Sequence, residues 1–454
     1  LRYAALEHNI WILDGSSAIL DPSSLPDMGF VSSNLSGTDG SFTTHPVITI
    51  SFTSVHNNPI PGVTIQWSSV YNEYATKYDI SVYNGATLVA STSVTDNESV
   101  VAFTELSFTG YNKIVIEVKE WCLPKHRARI EEITIGAKII FDKSNLMGFE
   151  HSEAVDLLSL ELPKAEIVFS IDNVDEIWNP DNPQGVYQYM LERQKIVCRY
   201  GYKINGGIEW IKCGTFWLSD WETPQNGITA KFTARDAFEF MQNPYVATSG
   251  TYALAALATD AFTQSNLPTM PDGTPRYSIS SVLDSISVTI NSADFQYSSA
   301  EVIQLCANAG CCVCYADRDG KIVIEPLSSV LQDYAINRDN SYENAEYDIS
   351  KELQGVNVND GQGTYSNATS GEVQTIQNPL IQSSVRANAV AQWVGSCLAN
   401  RKSLNGDFRA DPRLDALDKV TISNKYADNT AFITEIHYTY NGAFRGDYTS
   451  RVMA

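Results

Sequence analysis

Apolar and polar positions alternate with a two-residue period through most of this chain, in short runs broken by turn residues. Pro46 to Phe52, Val63 to Trp67, Tyr78 to Tyr83, Leu88 to Val94, Val100 to Phe103, Lys113 to Val118 and Arg129 to Ile135 all predict strands. Turn clusters such as Asn57-Asn58-Pro59, Asn84-Gly85 and Asp96-Asn97 separate them. Many short strands so spaced predict an antiparallel sandwich. The pattern resumes at Glu166 to Ile171, then at Lys195 to Tyr202 and Ile208 to Trp217 around Asn205-Gly206-Gly207. Asn-Gly and Gly-Gly accept the positive φ angles of a tight hairpin. A loop over 223–227 returns the chain into Ile228 to Phe232, and Asp236 is placed to cap a short helix holding Phe238 and Phe240.

The period then changes. Tyr252 to Phe262 is rich in Ala and Leu and predicts a helix. Ser298 and Glu301 have capping-box spacing, Val302, Leu305, Cys306 and Ala309 share a helical face, and Gly310 can end that helix. Cys311 to Arg318 and Lys321 to Leu327 predict a hairpin around Asp319-Gly320. Strands return at Leu353 to Val358, Glu372 to Ile376, Lys419 to Ser423 and Phe432 to Tyr440, with one helix presenting Val390, Trp393, Val394, Cys397 and Leu398. Residues 361–371 read as a flexible loop.

Length and charge narrow the class. At 454 residues the chain exceeds one core, so several domains are expected. Its 53 acidic against 31 basic residues, net −22, argue against a groove that grips nucleic acid, because such binding neutralises phosphates. No run approaches the ~20 apolar residues of a membrane span. Eight dispersed cysteines are not a disulfide framework and suit assembly in a reducing cytoplasm.

Three segments, RQKIVCRYGY (193–202), EWIKCGTFWLSDW (209–221) and GITAKFTARD (227–236), resemble the first β-barrel of phage and prophage tail-hub proteins. SSAEVIQLCANAGCCVCYADRDGKIVIEP (298–326) resembles the α/β segment between the two hub barrels. NPLI (378–381), DPRLDALDKVTI (411–422) and ITEIHYTYNGAFRGDYTSR (433–451) match second-barrel features. ITISFTS, GVTIQWSS, YDISVYNG and the segment 112–136 resemble a galactose-binding-like domain. The fold class is therefore mainly β with a small α/β insertion, a jelly-roll sandwich plus two hub-type β-barrels. The expected domains are an N-terminal lead-in (1–20) packing at the domain junction, a galactose-binding-like sandwich (21–140), the first barrel (141–245), the α/β domain (246–335) and the second barrel (336–454).

The resemblance implies a structural, non-enzymatic protein of a virion tail tip, made in the bacterial host cytoplasm. It implies a homotrimer in the particle, other tail tube and tip proteins as partners, and DNA passage without tight binding or membrane insertion. The alternative is a carbohydrate-binding adhesin or receptor-binding module on β-rich spacers, with a cell-surface glycan as partner.

Chemistry-bearing residues add little to this. Cys306, Cys311, Cys312 and Cys314 are the sharpest metal candidates, yet Cys311 points away from Cys312 and Cys314 on an extended strand, so four ligands cannot converge. No metal or cofactor is expected. The histidines show no i, i+2 or i, i+4 pairing, and no nucleophile elbow accompanies them. A sugar platform in the sandwich would use Trp67, Tyr71, Tyr74 and Trp121, whose flat rings suit pyranose faces. The strand pattern offers a competing role for Trp67 and Trp121, as core.

Overall fold

A computed structural model describes residues 29–452, apart from 58, 137–138, 143–144, 183–184, 187–189, 191–192, 205–206, 224–227, 271–272 and 329. Of the first 28 residues it describes β1 (Arg2–Tyr3) and β2 (Ser17–Ala18), which pair in parallel. The expected lead-in packing, the Asn205-Gly206 turn and most of the 223–227 loop lie outside the described residues. Two compact units are present, Leu1–Ile140 and Phe141–Ala454.

The first unit is a sandwich. One sheet has the order β4-β9-β6-β7, from β4 (Val47–His56), β6 (Ala75–Asn84), β7 (Thr87–Val94) and β9 (Tyr111–Trp121). The other is β11-β5-β8, from β5 (Ile60–Gln66), β8 (Val101–Phe108) and β11 (Glu132–Ile135), while β3 (Phe30–Leu35) pairs with β10 (Arg127–Ile130). Every pairing among these strands is antiparallel. Alternation sets the inward face: Ile114, Ile116 and Val118 of β9 meet Val63 and Ile65 of β5 and Tyr78, Ile80 and Val82 of β6 in one core. The Tyr78 hydroxyl lies 2.8 Å from Thr104 Oγ1, a buried polar contact between the two sheets.

The second unit carries two β-blocks. The first comprises β12 (Leu146–Ala154), β13 (Lys164–Asp172), β14 (Lys195–Ile204), β15 (Gly207–Glu222) and β16 (Thr229–Arg235), in the sheet order β14-β15-β16-β13-β12. The second comprises β23 (Glu346–Ile349), β27 (Lys402–Phe408), β28 (Lys419–Ser423), β29 (Asp428–Tyr440) and β30 (Phe444–Val452), in the order β28-β29-β30-β27-β23. Each block has its own core. β22 (Leu331–Ile336) adds in parallel to β28. The blocks are fused into one sheet, because β12 pairs with the C-terminal half of β29.

Between and beside them lies an α/β core. It contains β17 (Gly250–Ala253), α1 (Leu254–Gln264), β18 (Tyr277–Ile279), β19 (Ser287–Ile290), α2 (Ser299–Gly310), β20 (Val313–Ala316) and β21 (Ile322–Glu325). Ser298 and Glu301 form the full capping box on α2, and Cys311, at φ 55°, closes the helix where Gly310 was expected to. Three further strands, β24 (Leu353–Val358), β25 (Gly363–Ser366) and β26 (Glu372–Ile376), and α3 (Ser384–Leu398) come from the segment expected to belong to the second barrel. Leu353, Val356, Val358, Val390, Val394 and Cys397 instead share a core with Leu257, Phe262, Val302 and Cys306. The physical reason is an insertion: this segment leaves the second block after β23, packs α3 against α2 within the core that α1 shares, and re-enters at β27. Residues 363–366, expected in a loop, pair with β24. Gly395 makes room for them, since a Cβ there would lie 2.1 Å from Tyr365 Cδ1.

Candidate functional site

The sugar platform does not assemble. Trp67 and Trp121 are 0% and 1% exposed, packed edge-on to one another at 5.8 Å, so neither offers a face to a ligand. This corrects their assignment as carbohydrate-binding residues, and the cause is the strand alternation itself, which continues Val63 and Ile65 into Trp67. Tyr71 is half-buried with the Arg129 guanidinium over its ring at 4.7 Å, and Tyr74 is also half-buried. Beneath them Glu73 is a buried carboxylate that accepts from Trp121 Nε1 at 2.8 Å and lies 3.0 Å from His126 Nδ1 and 3.7 Å from an Arg129 nitrogen. These contacts satisfy a charge in the core and hold the 68–73 loop.

The cysteines likewise act as core. Cys306, Cys312 and Cys314 are buried, and burial pushes the Cys312 and Cys314 thiols up to about 12. Cys311 accepts a 2.7 Å contact from Arg386. No group of three or more His, Cys, Asp or Glu side chains among the described residues could hold a metal ion. No helix among them is long and apolar enough to cross a membrane.

One constellation was not visible in the sequence. Where the two blocks meet, Cys213 Sγ lies 3.5 Å from His151 Nδ1, and His151 Nε2 lies 3.1 Å from Glu153 Oε1 without aligned hydrogen-bond geometry. Thiol, imidazole and carboxylate in that order suggest a nucleophile, base and orienting acid. Burial decides against it. Cys213 and His151 are each 1% exposed, so no substrate reaches the sulfur, and burial pushes the thiol well above its usual range. Burial opposes charge on His151, but Glu153 and the Cys213 sulfur beside it favour protonation, and the net direction is upward. Tyr200 Oη completes the contact at 2.7 Å from His151 Nδ1.

The arrangement around this junction is a repeat. Counting each block's strands from first to fifth, both sheets read third-fourth-fifth-second-first, with every neighbour antiparallel. The equivalence extends to single residues. Trp217, Leu218, Asp220 and Trp221 face Arg235, Ala234, Thr233 and Phe232. Phe432, Ile433, Glu435 and Ile436 face Arg451, Ser450, Thr449 and Tyr448. Both fourth strands are bulged, at Ser219 and Thr434, and each bulge hydroxyl bonds the same carbonyl: Ser219 Oγ to Thr233 O at 3.3 Å, Thr434 Oγ1 to Thr449 O at 3.2 Å. Lys195 faces Trp217 and Lys419 faces Phe432. Two residues before each lysine the chain is left-handed, at Arg193 (φ 58°) and Leu417 (φ 76°), and both residues donate to the fourth strand, at Leu218 O and Ile433 O.

By the same register His151 of β12 corresponds to Tyr347 of β23, since they face Ile167 and Leu404 in equivalent pairs. Each links its block's first strand back to the fourth: His151 to Cys213, and Tyr347 as acceptor from Asn429 Nδ2 at 3.1 Å. The blocks thus curl until their ends meet through side chains.

No family model matches the chain, and no curated protein matches it. Solved structures similar to it include the 43 kDa tail protein of prophage MuSo2 from Shewanella oneidensis, at 11% identity and a TM-score of 0.48, covering 69% of this chain and 96% of that one. The tail protein from Neisseria meningitidis MC58 is similar at 10% identity and a TM-score of 0.44, covering 67% and 92%. Prophage tail protein gp18 from Listeria monocytogenes EGD-e is similar at 12% identity and a TM-score of 0.43, covering 66% and 87%. Likeness at this level assigns neither a function nor a partner to the chain.

Proposed function

We propose that this chain is a structural subunit of a phage or prophage tail tip, three copies of which form a hub joining the sixfold tail tube to a threefold tip. The observation that carries the reading is the repeat: one chain presents two β-blocks of one topology, fused through β12 and β29. Two similar blocks per chain let three chains offer six similar surfaces, which is the geometric requirement for matching a sixfold ring to a threefold one. The resemblance of the block sequences to hub barrels points the same way. Burial of Cys213 and His151 argues for a mechanical rather than a chemical role.

Three copies would carry a formal charge of 3 × (−22) = −66. An acidic lumen would let DNA slide, because tight binding depends on neutralising its phosphates. Repulsion over a few ångströms survives a Debye length of about 8 Å. The test is electron microscopy of assembled particles beside the purified chain. The expected result is a threefold ring with six block-sized lobes and an acidic lumen at the tail tip. A ring of another symmetry rejects the adaptor role, and a basic lumen rejects DNA passage.

A further inference from the structure

Block one holds two cysteines on neighbouring strands of one hairpin. Between β14 and β15, Cys198 faces Gly214 and Arg199 faces Lys212, so Cys213 is the extra residue of a bulge. In an unbroken ladder Cys213 would point to the face opposite Cys198, because successive side chains alternate. The bulge turns it to the same side, and both sulfurs lie in the block-one core. Gly214 sets no side chain against Cys198, since the Phe216 ring already fills that place, 2.5 Å from where a Cβ would be. The Cys213 thiol is a hydrogen-bonding neighbour of the Cys198 sulfur, and both cysteines are free. Directly opposed antiparallel residues lie about 4.5–5.5 Å apart between Cα atoms, and a disulfide spans roughly 4.4–6.8 Å. A bulge sets two residues against one partner, so Cys213 shares Cys198 with Gly214.

We propose that Cys198 and Cys213 are a redox pair, joined by a disulfide when a hydroperoxide reaches Cys198. Cys213 is 1% exposed, so it cannot be the point of entry, but Cys198 is half-buried and a molecule the size of hydrogen peroxide needs little room. The Cys198 sulfur attacks one peroxide oxygen, the O–O bond breaks, and one water leaves with Cys198 as the sulfenic acid. The Cys213 sulfur then displaces that hydroxyl, so the S–O bond breaks and the S–S bond forms. The hydroxyl takes up the proton Cys213 gives up and leaves as a second water, with His151 Nδ1, 3.5 Å from that sulfur, beside it to pass the proton on. Two thiols are oxidised and one peroxide is reduced to two waters.

The bridge would change the junction. In the reduced chain the Cys213 thiol links β15 to His151 of β12, whereas a bridged sulfur has no proton to share. His151 Nδ1 then keeps Tyr200 Oη, at 2.7 Å, and the tie between first and fourth strands gives way to a tie within the β14–β15 hairpin. A reducing compartment holds the pair as thiols. The competing role is that of the other buried cysteines, which pack as small apolar groups. The pairing does not depend on the hub reading.

The test is treatment of the folded full chain with hydrogen peroxide, blocking of the remaining thiols with iodoacetamide, and tryptic mapping without reductant. The expected result is that peptides 196–199 and 213–231 travel as one species, two hydrogens lighter than their sum, and separate on adding dithiothreitol. Thiols counted after denaturation should fall from eight to six. Cys198→Ser should keep Cys213 as a thiol, and Cys213→Ser should let Cys198 run on to the sulfinic acid. The ring signals of His151 should shift in the bridged protein and return on reduction. Peptides that stay separate while Cys198 becomes sulfinic acid overturn the proposal, as does an unchanged thiol count. A bridge that forms elsewhere, as between Cys311 and Cys312, with 196–199 left free, overturns it too.

Discussion

Removing the Arg318 side chain should loosen all three parts of the second unit at once. Arg318 sits at the tip of the β20–β21 hairpin and donates to Asp415 through Nε at 2.6 and 2.9 Å, and through Nη2, as a fork. Asp415 belongs to the loop before β28, and the Arg318 Nη1 also donates to Lys212 O on β15 at 3.1 Å. Gly320, at φ 72°, lets the tip approach, since a Cβ there would lie 2.9 Å from Thr215 Cβ. Breaking a buried charge pair by deleting one partner costs about 3–5 kcal/mol. Here the side chains are 23% and 35% exposed, which screens the pair and brings the expectation for Arg318→Ala to about 2–3 kcal/mol.

Protonation adds a second test. Burial and the nearby Glu153 carboxylate push Asp415 up to about 7, against the pull of Arg318. A carboxyl raised on folding contributes stability below its unfolded value near 3.9 that is lost as pH rises through the folded one. Arg318 offsets that loss by favouring the charged form, so its contribution should shrink as pH falls from 8 to 5 and Asp415 becomes neutral in both proteins. Urea unfolding of the full chain, followed by tryptophan fluorescence, would measure both effects. Arg318→Lys should recover only part of the loss, because a single ammonium cannot reproduce the fork. A loss below about 0.5 kcal/mol at pH 7.5, with no coupling in an Arg318→Ala/Asp415→Asn cycle, would show the pair to be an ordinary surface contact and refute the reasoning.

Further outcomes follow from other sites. Glu73→Ala should destabilise the sandwich by about 3 kcal/mol, because it leaves the Trp121 indole and His126 unpaired in the core; Glu73→Gln should cost less, and equal losses in thermal unfolding would contradict this. Trp67→Ala should cost about 3–5 kcal/mol by chemical denaturation, as a core truncation does, and leave glycan-array signals unaltered. Ser298→Ala should cost about 1 kcal/mol through loss of the capping box, read in urea melts. Burial pushes Asp236 up to about 7 against the backbone N–H groups of Phe238 and Ala165. Its contribution is present below about pH 4 and lost through 7, so Asp236→Asn should flatten the stability profile over that window.

Much of this fold is legible because period and turn chemistry are local. The alternation that predicts β6, β9, β13 and β15, and the Ser298 to Glu301 spacing that predicts α2, need only a few neighbouring residues. The insertion was not legible, because β24 and α3 look alike whether they pack on a barrel or on α1 and α2. Only contacts between residues far apart in the chain distinguish the two, as with Val356 and Val394, which share one core with Val302. The junction was hidden for the same reason. His151, Tyr200 and Cys213 are separated by 62 residues at most, but they converge only because β12 and β15 curl towards each other. The aromatic candidates failed in a different way: exposure, not residue type, decides whether a ring can stack on sugar, and alternation had already placed Trp67 inside.

The repeat escapes notice in the sequence because geometry constrains few of its positions. A bulge needs a hydroxyl that reaches one carbonyl, and Ser219 and Thr434 supply it. The turn into the third strand needs a left-handed residue, which Arg193 and Leu417 adopt despite being neither Gly nor Asn. A strain of that kind, about 1–3 kcal/mol, persists only where the surroundings over-determine it. Here the backbone bonds from Arg193 to Leu218 and from Leu417 to Ile433 fix the turn in both blocks. Elsewhere an inward position need only be apolar and an outward one polar, so FTAR (232–235) and YTSR (448–451) are nearly all that survives as text. Two blocks that share a strained turn, a bulge and a strand order, but almost no sequence, have been held to a geometry rather than to a chemistry.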